Sequence, residues 1–283
     1  TGMWIYSDRY HQLSDMQMFN IVSPSCECMS EDTRSEGVVD ETRRRLLAAT
    51  AGGLTVGALG TGATGSAAAQ DDGTLTIVHD THFHGRFEDA GNEAIDIARY
   101  YNIVEEFRAE YPNAAFFGNG DDLAPSVLGL EFEGEHMVEA LNEMGPDVIG
   151  AGNHEFDFGV DTASERFQAS EFPWVIANLL TPEGEPAPGA ERWTTVEAGS
   201  YTVGVFGMGT TGFYDITDYP EDWQVLGYTE AAEAAVEALE PETDFIVCAS
   251  HVSSGVHETI AAVDGVDAIV GSHSGVVYEE PET

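Results

Sequence analysis

The chain has 283 residues, enough for one large or two ordinary domains, and 51 acidic against 10 basic residues leave a formal charge of −41. Every basic residue is an arginine, and the charge is spread along the chain; nucleic acid is excluded as a partner, because binding it depends on basic clusters that are missing here. Disorder is excluded as well, since it needs low hydrophobicity and 42% of these residues are hydrophobic, in regular runs. The composition fits a folded protein with a dense carboxylate surface of the halophilic kind, whose self-repulsion is screened to within ~3 Å at 1 M salt.

The first 42 residues read as an extension of two characters. Up to Cys28 the only acids are Asp8, Asp15 and Glu27, whereas from Met29 onward acids are dense, which marks Met29 as the expected natural start and 1–28 as an upstream addition. Residues 43–69 read as a secretory signal: Arg43, Arg44 and Arg45 precede an apolar run, and 66–70 offers a small-residue cleavage site. Paired arginines point to the twin-arginine route, hence to an extracellular or cell-surface protein. The run is Gly-rich and short of the ~20 strongly apolar residues that a span needs, and no cysteine stands at the cleavage site, so no stable membrane anchor is expected. Cys26 and Cys28 are too close for a metal knuckle without a second pair. Cys248 lies in an apolar run as a small core residue.

From residue 70 to the end, strand-like and helix-like runs alternate, the pattern of βαβ units. Strands are expected at 75–78, 114–117, 147–150, 174–177, 193–196, 201–206, 245–248 and 268–270. Helical spacing joins Ile95, Ala98, Tyr101, Val104 and Phe107, then Met137, Val138 and Leu141, then 231–239 and 257–263. Residues 181–190, with three prolines, form a surface loop, and Gly199-Ser200 a turn. Consecutive strands without a helix between them imply mixed sheets. The expected class is α/β, two packed sheets with outer helices.

Five of the strands run directly into polar residues: Asp80-Thr81-His82, Gly120-Asp121, Gly152-Asn153-His154-Glu155, Ser250-His251 and Ser272-His273. Ligands of open α/β sheets bind outside the carboxyl ends of the strands, so these five ends read as one metal site. Carboxylate, imidazole and amide oxygen together suit Mn, Fe, Zn or Co better than Mg or Ca. Two divalent ions sharing a carboxylate make hydroxide available near neutral pH and stabilise both oxygens of an in-line displacement at phosphorus.

In this order and at these strand ends, the set resembles the calcineurin-like metallophosphoesterases, and 152–159 (Gly-Asn-His-Glu-Phe-Asp-Phe-Gly) is similar to their 5'-nucleotidase and UDP-sugar hydrolase branch. The resemblance covers 75–273 and implies a four-layer α/β/β/α sandwich, truncated at its C-terminus and without the nucleotide-binding domain of that branch. It implies a hydrolase of phosphate esters or 5'-nucleotides that uses two divalent ions, Asp80 and His82 holding the first, Asp121 bridging, and Asn153, His251 and His273 holding the second. His154 would be no ligand but the general acid, oriented by Asp157, as hydroxide attacks phosphorus. Asp122, next to the bridge, is expected to be a loop carboxylate facing solvent.

Three departures accompany the resemblance. The family's Gly-His-x-His ending is replaced by one with Gly275 in the last place, which removes a ligand. His82-Phe83-His84-Gly85 carries two histidines where one is usual; aligned on the glycine, His84 would be the ligand and His82 would stand in the aspartate's place, while the strand end favours Asp80 and His82. Arg86 is open to a phosphate contact or a structural ion pair. Third, the chain stops at Thr283, as a fragment of a longer reading frame would. Cyclic nucleotides or sulfur esters as substrates, or a non-catalytic truncated domain, are the alternatives.

Overall fold

The computed structural model describes residues 73–80, 82–88, 96–217, 222–271 and 273–274, and the backbone of 17–22. The signal-like segment 43–69, Cys26, Cys28, Met29 and Gly275 lie outside the described residues. Two mixed sheets form the centre. The first has the order β1 (Gln17–Val22), β2 (Thr74–His79), β3 (Ala114–Gly118), β4 (Val148–Gly150) and β5 (Trp174–Val175); β2 to β5 run parallel, and β1 pairs antiparallel at the edge. A strand at 17–22 is not part of the sequence reading. A two-residue strand β6 (Leu179–Leu180), also unread in the sequence, later pairs antiparallel with β9 (Gln224–Val225). The second sheet contains β7 (Trp193–Ala198), β8 (Tyr201–Gly209), β10 (Phe245–His251) and β11 (Ala268–Val270) in the order β11-β10-β8-β7. Here β7 and β8 form an antiparallel hairpin over Gly199-Ser200, and β8, β10 and β11 are parallel.

Side-chain alternation makes each sheet two-faced and so dictates the layers. Leu75, Ile77, Ala115, Phe117 and Val148 of the first sheet pack against Val203, Val205, Val247, Ala249 and Val270 of the second, and all are buried. The opposite face of the first sheet, with Val78, Phe116 and Ile149, is covered by helices α1 (Ile97–Glu110), α3 (Glu135–Met144) and α4 (Val160–Ala169). Phe206, Met208, Ile246 and Cys248 on the far face of the second meet α6 (Tyr228–Leu239) and α7 (His257–Ala261). Two short helices, α2 (Val127–Phe132) and α5 (Phe213–Ile216), lie in connections. The result is the expected α/β/β/α sandwich, with Cys248 in the core as anticipated.

The first helix is rotated from its expected setting. Asp96 caps it by accepting the Arg99 amide, and its buried stripe is Tyr100, Ile103, Val104 and Phe107, while Tyr101 is 40% exposed. That stripe is favoured because it presents four large side chains, whereas the face through Ala98 and Tyr101 offers fewer. Among the described residues, no helix is long and apolar enough to cross a membrane.

Phe117 tests the inter-sheet layer, being fully buried between the sheets. Phe117→Ala is expected to lower unfolding stability by ~3–5 kcal/mol in chemical denaturation. A loss below about 1 kcal/mol would mean that this layer is not packed as described.

Candidate metal centre

The carboxyl ends of β2, β3, β4 and β10 meet on one edge of the sandwich, and the loops after β2 and β3 are strained. Among the described non-glycine residues, His82 (φ 81°), His84 (φ 52°), Asp121 (φ 59°) and Glu133 (φ 48°) have positive φ. Glu133 merely ends α2 in the left-handed conformation. The other three sit in the two loops after β2 and β3, where each costs of order 1–3 kcal/mol and persists only if its surroundings impose it. Those surroundings are hydrogen bonds between the loops: the amide of His84 donates to the carbonyl of Asp121 (2.7 Å) and that of Gly85 to the carbonyl of Asp122 (2.9 Å).

Glu155 imposes the second loop. Its buried carboxylate accepts four backbone N–H groups, from Gly152 (2.7 Å), Asp121 (2.9 Å), Asp122 (2.7 Å) and Leu123 (3.2 Å). Burial pushes its carboxyl above the usual range, and the charge of Asp121 adds to that; the amide bonds act in the opposite direction. The two backbones come so close that a side chain on Gly120 would strike the carbonyl of Gly150 at 2.7 Å, and one on Gly152 would strike the His251 ring at 2.8 Å. Glycine is needed at both positions.

Asp121 is the hub. Its Oδ1 accepts the amide of His154 (2.9 Å), which leaves Oδ2 facing three imidazoles: His251 Nε2 at 3.1 Å, His84 Nε2 at 3.7 Å and His154 Nε2 at 4.0 Å. Although burial acts to raise it, the facing histidines hold the Asp121 carboxyl well below the usual carboxylate range. His251 Nδ1 donates to the carbonyl of Asn119 (2.7 Å), so in the neutral ring Nε2 is a bare lone pair aimed at a carboxylate oxygen. Two acceptors so close need a cation, a proton or a metal, between them.

Other donors point the same way. Asp80 Oδ2, His82 Nε2, Asn153 Oδ1 and His251 Nε2 are buried and have no hydrogen-bond partner. Oxygen and imidazole donors of this kind fit a divalent cation of the Mn, Fe, Zn or Co class. Two groups have ligand atoms within 4.8 Å of one another, His82–Asp121–His251 and His84–Asp121–His154. Asp80 and His273 belong to neither group. The His273 ring lies 5.0 Å from that of His251, its amide bound to Val252, and Asp80 Oδ1 accepts the Asn119 amide at 3.2 Å. Arg86 also lies outside both groups; its amide donates to the carbonyl of Phe83. Burial drives the His82 imidazole down to about 3, with His251 adding to the effect, so the ring stays neutral.

Beside this cluster His154 Nδ1 and Asp157 Oδ2 are 2.7 Å apart, on one 3-10 turn and its cap. Burial acts to lower the pKa of His154, but the Asp157 hydrogen bond and the charges of Asp121 and Asp157 outweigh it, and the net shift is upward.

Asp122 corrects the sequence reading, which had it facing solvent. It is fully buried, Oδ1 accepts the amide of Phe83 (3.2 Å), and burial together with Asp80 and Glu155 pushes its carboxyl well above the usual range. The Glu155 clamp and Asn119, which donates through Nδ2 to the carbonyl of Asp80, were also unread. The signal for Glu155 was its place inside the 152–155 motif, an acid directly before the apolar Phe156; Asn119 carried none beyond following β3.

No family model matches the chain. A 5'-nucleotidase from Rattus norvegicus is 27% identical over 224 residues, 71% of this chain and 38% of that protein. The crystal structure of a 5'-nucleotidase precursor from Thermus thermophilus superposes with a TM-score of 0.65 at 26% identity, over 71% of this chain and 41% of that one. The chain is a homologue of the 5'-nucleotidases. It shares its fold with the calcineurin-like phosphoesterase YfkN from Bacillus subtilis, with a TM-score of 0.64 at 20% identity over 73% of this chain and 74% of that one. This 5'-nucleotidase homologue spans well under half the length of the rat protein it matches.

The buried Asp80 carboxyl is pushed up to about 7 by burial, against the Asn119 amide bond and with help from Glu155. A carboxyl raised in the folded state lets the native protein bind its proton before the unfolded chain does, so its destabilising effect is full above about pH 7 and fades as pH falls toward 3.8. Metal-free Asp80→Asn is therefore expected to be more stable than the parent at pH 8, the gap closing below pH 4, in denaturation titrations. Equal stability of the two at pH 8 would show that Asp80 is not buried as described.

Proposed function

We propose that the chain is the catalytic part of an exported, metal-dependent phosphoesterase that hydrolyses 5'-nucleotides or related organic phosphates. The observation that carries this reading is the His154–Asp157 pair, 2.7 Å apart, with His154 Nε2 4.0 Å from the Asp121 carboxylate. A general acid thus stands beside a cluster of cation-seeking donors. In this reading Asp80, His82, Asp121, Asn153, His251 and His273 would hold two divalent cations, and His84 would be a further donor. Cations held there would supply Lewis-acid chemistry, lowering the pKa of a water and offsetting charge on the phosphoryl oxygens.

The chain's own residues do the rest. The His154 pKa is raised, the Asp157 bond and the Asp121 charge outweighing burial, which favours the protonated ring that a general acid needs. Its Nδ1–H donates to Asp157, which fixes the ring, and its Nε2–H faces the site. As the bond from phosphorus to the ester oxygen breaks, the leaving oxygen takes the Nε2 proton, so no alkoxide has to depart. Asp157 is a positioning residue. Arg86, in the same loop as His84, is the basic residue that this reading assigns to a phosphate contact. The formal net charge of −41 argues against nucleic acid as a partner, and the signal-like 43–69 segment supports export to the cell surface or medium.

With Mn²⁺ in multimolar KCl, the protein is expected to hydrolyse AMP, UDP-glucose or a chromogenic phosphate ester, and His154→Ala to lower kcat by ~10²–10⁴ while still binding metal. A general acid works only when protonated, so activity falls as pH rises through the His154 pKa. Asp157→Asn removes a contribution that raises this pKa, and its alkaline limb is expected at lower pH. A metal-loaded, folded sample that cleaves none of these substrates, or a His154→Ala variant with full activity, would refute the reading.

A further inference from the structure

The loop that carries His82 and His84 is held from behind by a residue with no place in the proposed reaction. The carbonyl of Gly85 accepts two side-chain donors: Ser126 Oγ at 2.6 Å and His136 Nε2 at 2.9 Å. Ser126 also caps α2 by accepting the Gly129 amide at 2.7 Å, so its hydroxyl proton is free to point at Gly85. His136 comes from the first turn of α3 and is 8% exposed. Because the partner is a carbonyl, Nε2 must carry a proton, and Nδ1 is buried without a hydrogen-bond partner. Phe87 and Phe132 bracket the imidazole, with ring centroids 5.4 and 5.6 Å away.

We propose that His136 is a positioning residue of the metal centre: its bond to the Gly85 carbonyl holds the 82–85 loop in its left-handed conformation and so keeps the His84 imidazole on Asp121. His82 and His84 both have positive φ, a conformation that relaxes unless it is over-determined. The restraints on the loop come from both of its sides. On the inner side the His84 and Gly85 amides donate to the carbonyls of Asp121 and Asp122, and on the outer side His136 and Ser126 hold the Gly85 carbonyl. Gly85 is thus gripped through both its amide and its carbonyl, one residue from the ring nitrogen that lies 3.7 Å from Asp121 Oδ2. Any larger residue in place of Gly85 is ruled out by the same crowding, since its Cβ would meet the Leu123 carbonyl at 2.7 Å. The two phenylalanines flank the imidazole, and glutamine can place an N–H at a similar distance from the backbone.

The proposal rests on the metal-centre reading, and the test separates the two. Amide hydrogen exchange is measured on the metal-free full chain for the parent, His136→Ala and His136→Gln, and Mn²⁺ affinity is measured on the same three proteins. In His136→Ala the His84 and Gly85 amides are expected to exchange about tenfold faster, as losing one buried hydrogen bond implies, with β10 amides unchanged and His136→Gln restored toward the parent. Mn²⁺ affinity should fall by about tenfold in His136→Ala, the lower end of what loss of an outer partner costs a metal site. Unchanged exchange at His84 and Gly85, or acceleration equally in β10, would overturn the assignment. Should His136→Ala fail to fold, His136→Phe, which keeps a ring beside Phe87 and Phe132 without the donor, decides by the same two amides in the same way. If the parent itself binds no Mn²⁺, the functional reading fails, while the exchange data still decide the positioning role.

Discussion

The Glu155 carboxylate is the constraint on which the site depends. Four amides from two separate loops converge on its two oxygens, and no other buried acid among the described residues accepts as many. A buried carboxylate would otherwise take up a proton or open its surroundings to water; four N–H donors allow it to remain in the interior. The geometric consequence is larger than the energetic one. Clamping the amides of Asp121, Asp122 and Leu123 forces Asp121 into positive φ, and this aims Oδ1 at the His154 amide and Oδ2 at the histidines. The motif around Gly152 is therefore two devices at once, with Glu155 building the loop that presents Asp121 to His154.

Charge explains why the centre seeks a cation. Asp80, Asp121, Asp122 and Glu155 are all buried within these loops, and their neighbours are imidazoles and backbone amides rather than lysine or arginine. Glu155 is satisfied by amides and Asp122 partly so by Phe83, but His251 and Asp121 present lone pairs to each other at 3.1 Å. A proton resolves that conflict in the metal-free protein, as the upward shift of His251 indicates: burial acts to lower it, and the Asp121 charge outweighs burial. Divalent cations would resolve the same conflict with more charge and leave the imidazoles neutral, as ligation requires.

Strand ends and layer order were legible in the sequence because they follow from short-range rules. Alternation along 75–78, 114–117 and 245–248 gives each strand one inter-sheet face and one outer face, and polar residues straight after such runs mark the carboxyl edge. The setting of α1 was harder to read, since two faces one residue apart are both apolar and packing selects the one with Ile103. Asp122 illustrates a different limit. From composition an aspartate in a glycine-rich loop belongs in water, and only the fold shows the loop turned inward by Glu155. His136 and Asn119 were invisible for a similar reason: each acts on a backbone carbonyl 51 or 39 residues away, a relation with no local signature. Asp80 remains the instructive case among the expected ligands, being buried with a partnerless oxygen yet outside both groups around Asp121.

The central claim is that the loops after β2, β3, β4 and β10 assemble a centre for divalent metal around Asp121. Anomalous diffraction from crystals of the protein grown with Mn²⁺ measures this most directly. Anomalous density is expected within coordination distance of Asp121 Oδ2, shared with imidazole nitrogens of His82 and His251. Well-ordered crystals saturated with Mn²⁺ that show no density there, with His251 Nε2 still in direct contact with Asp121, would contradict it.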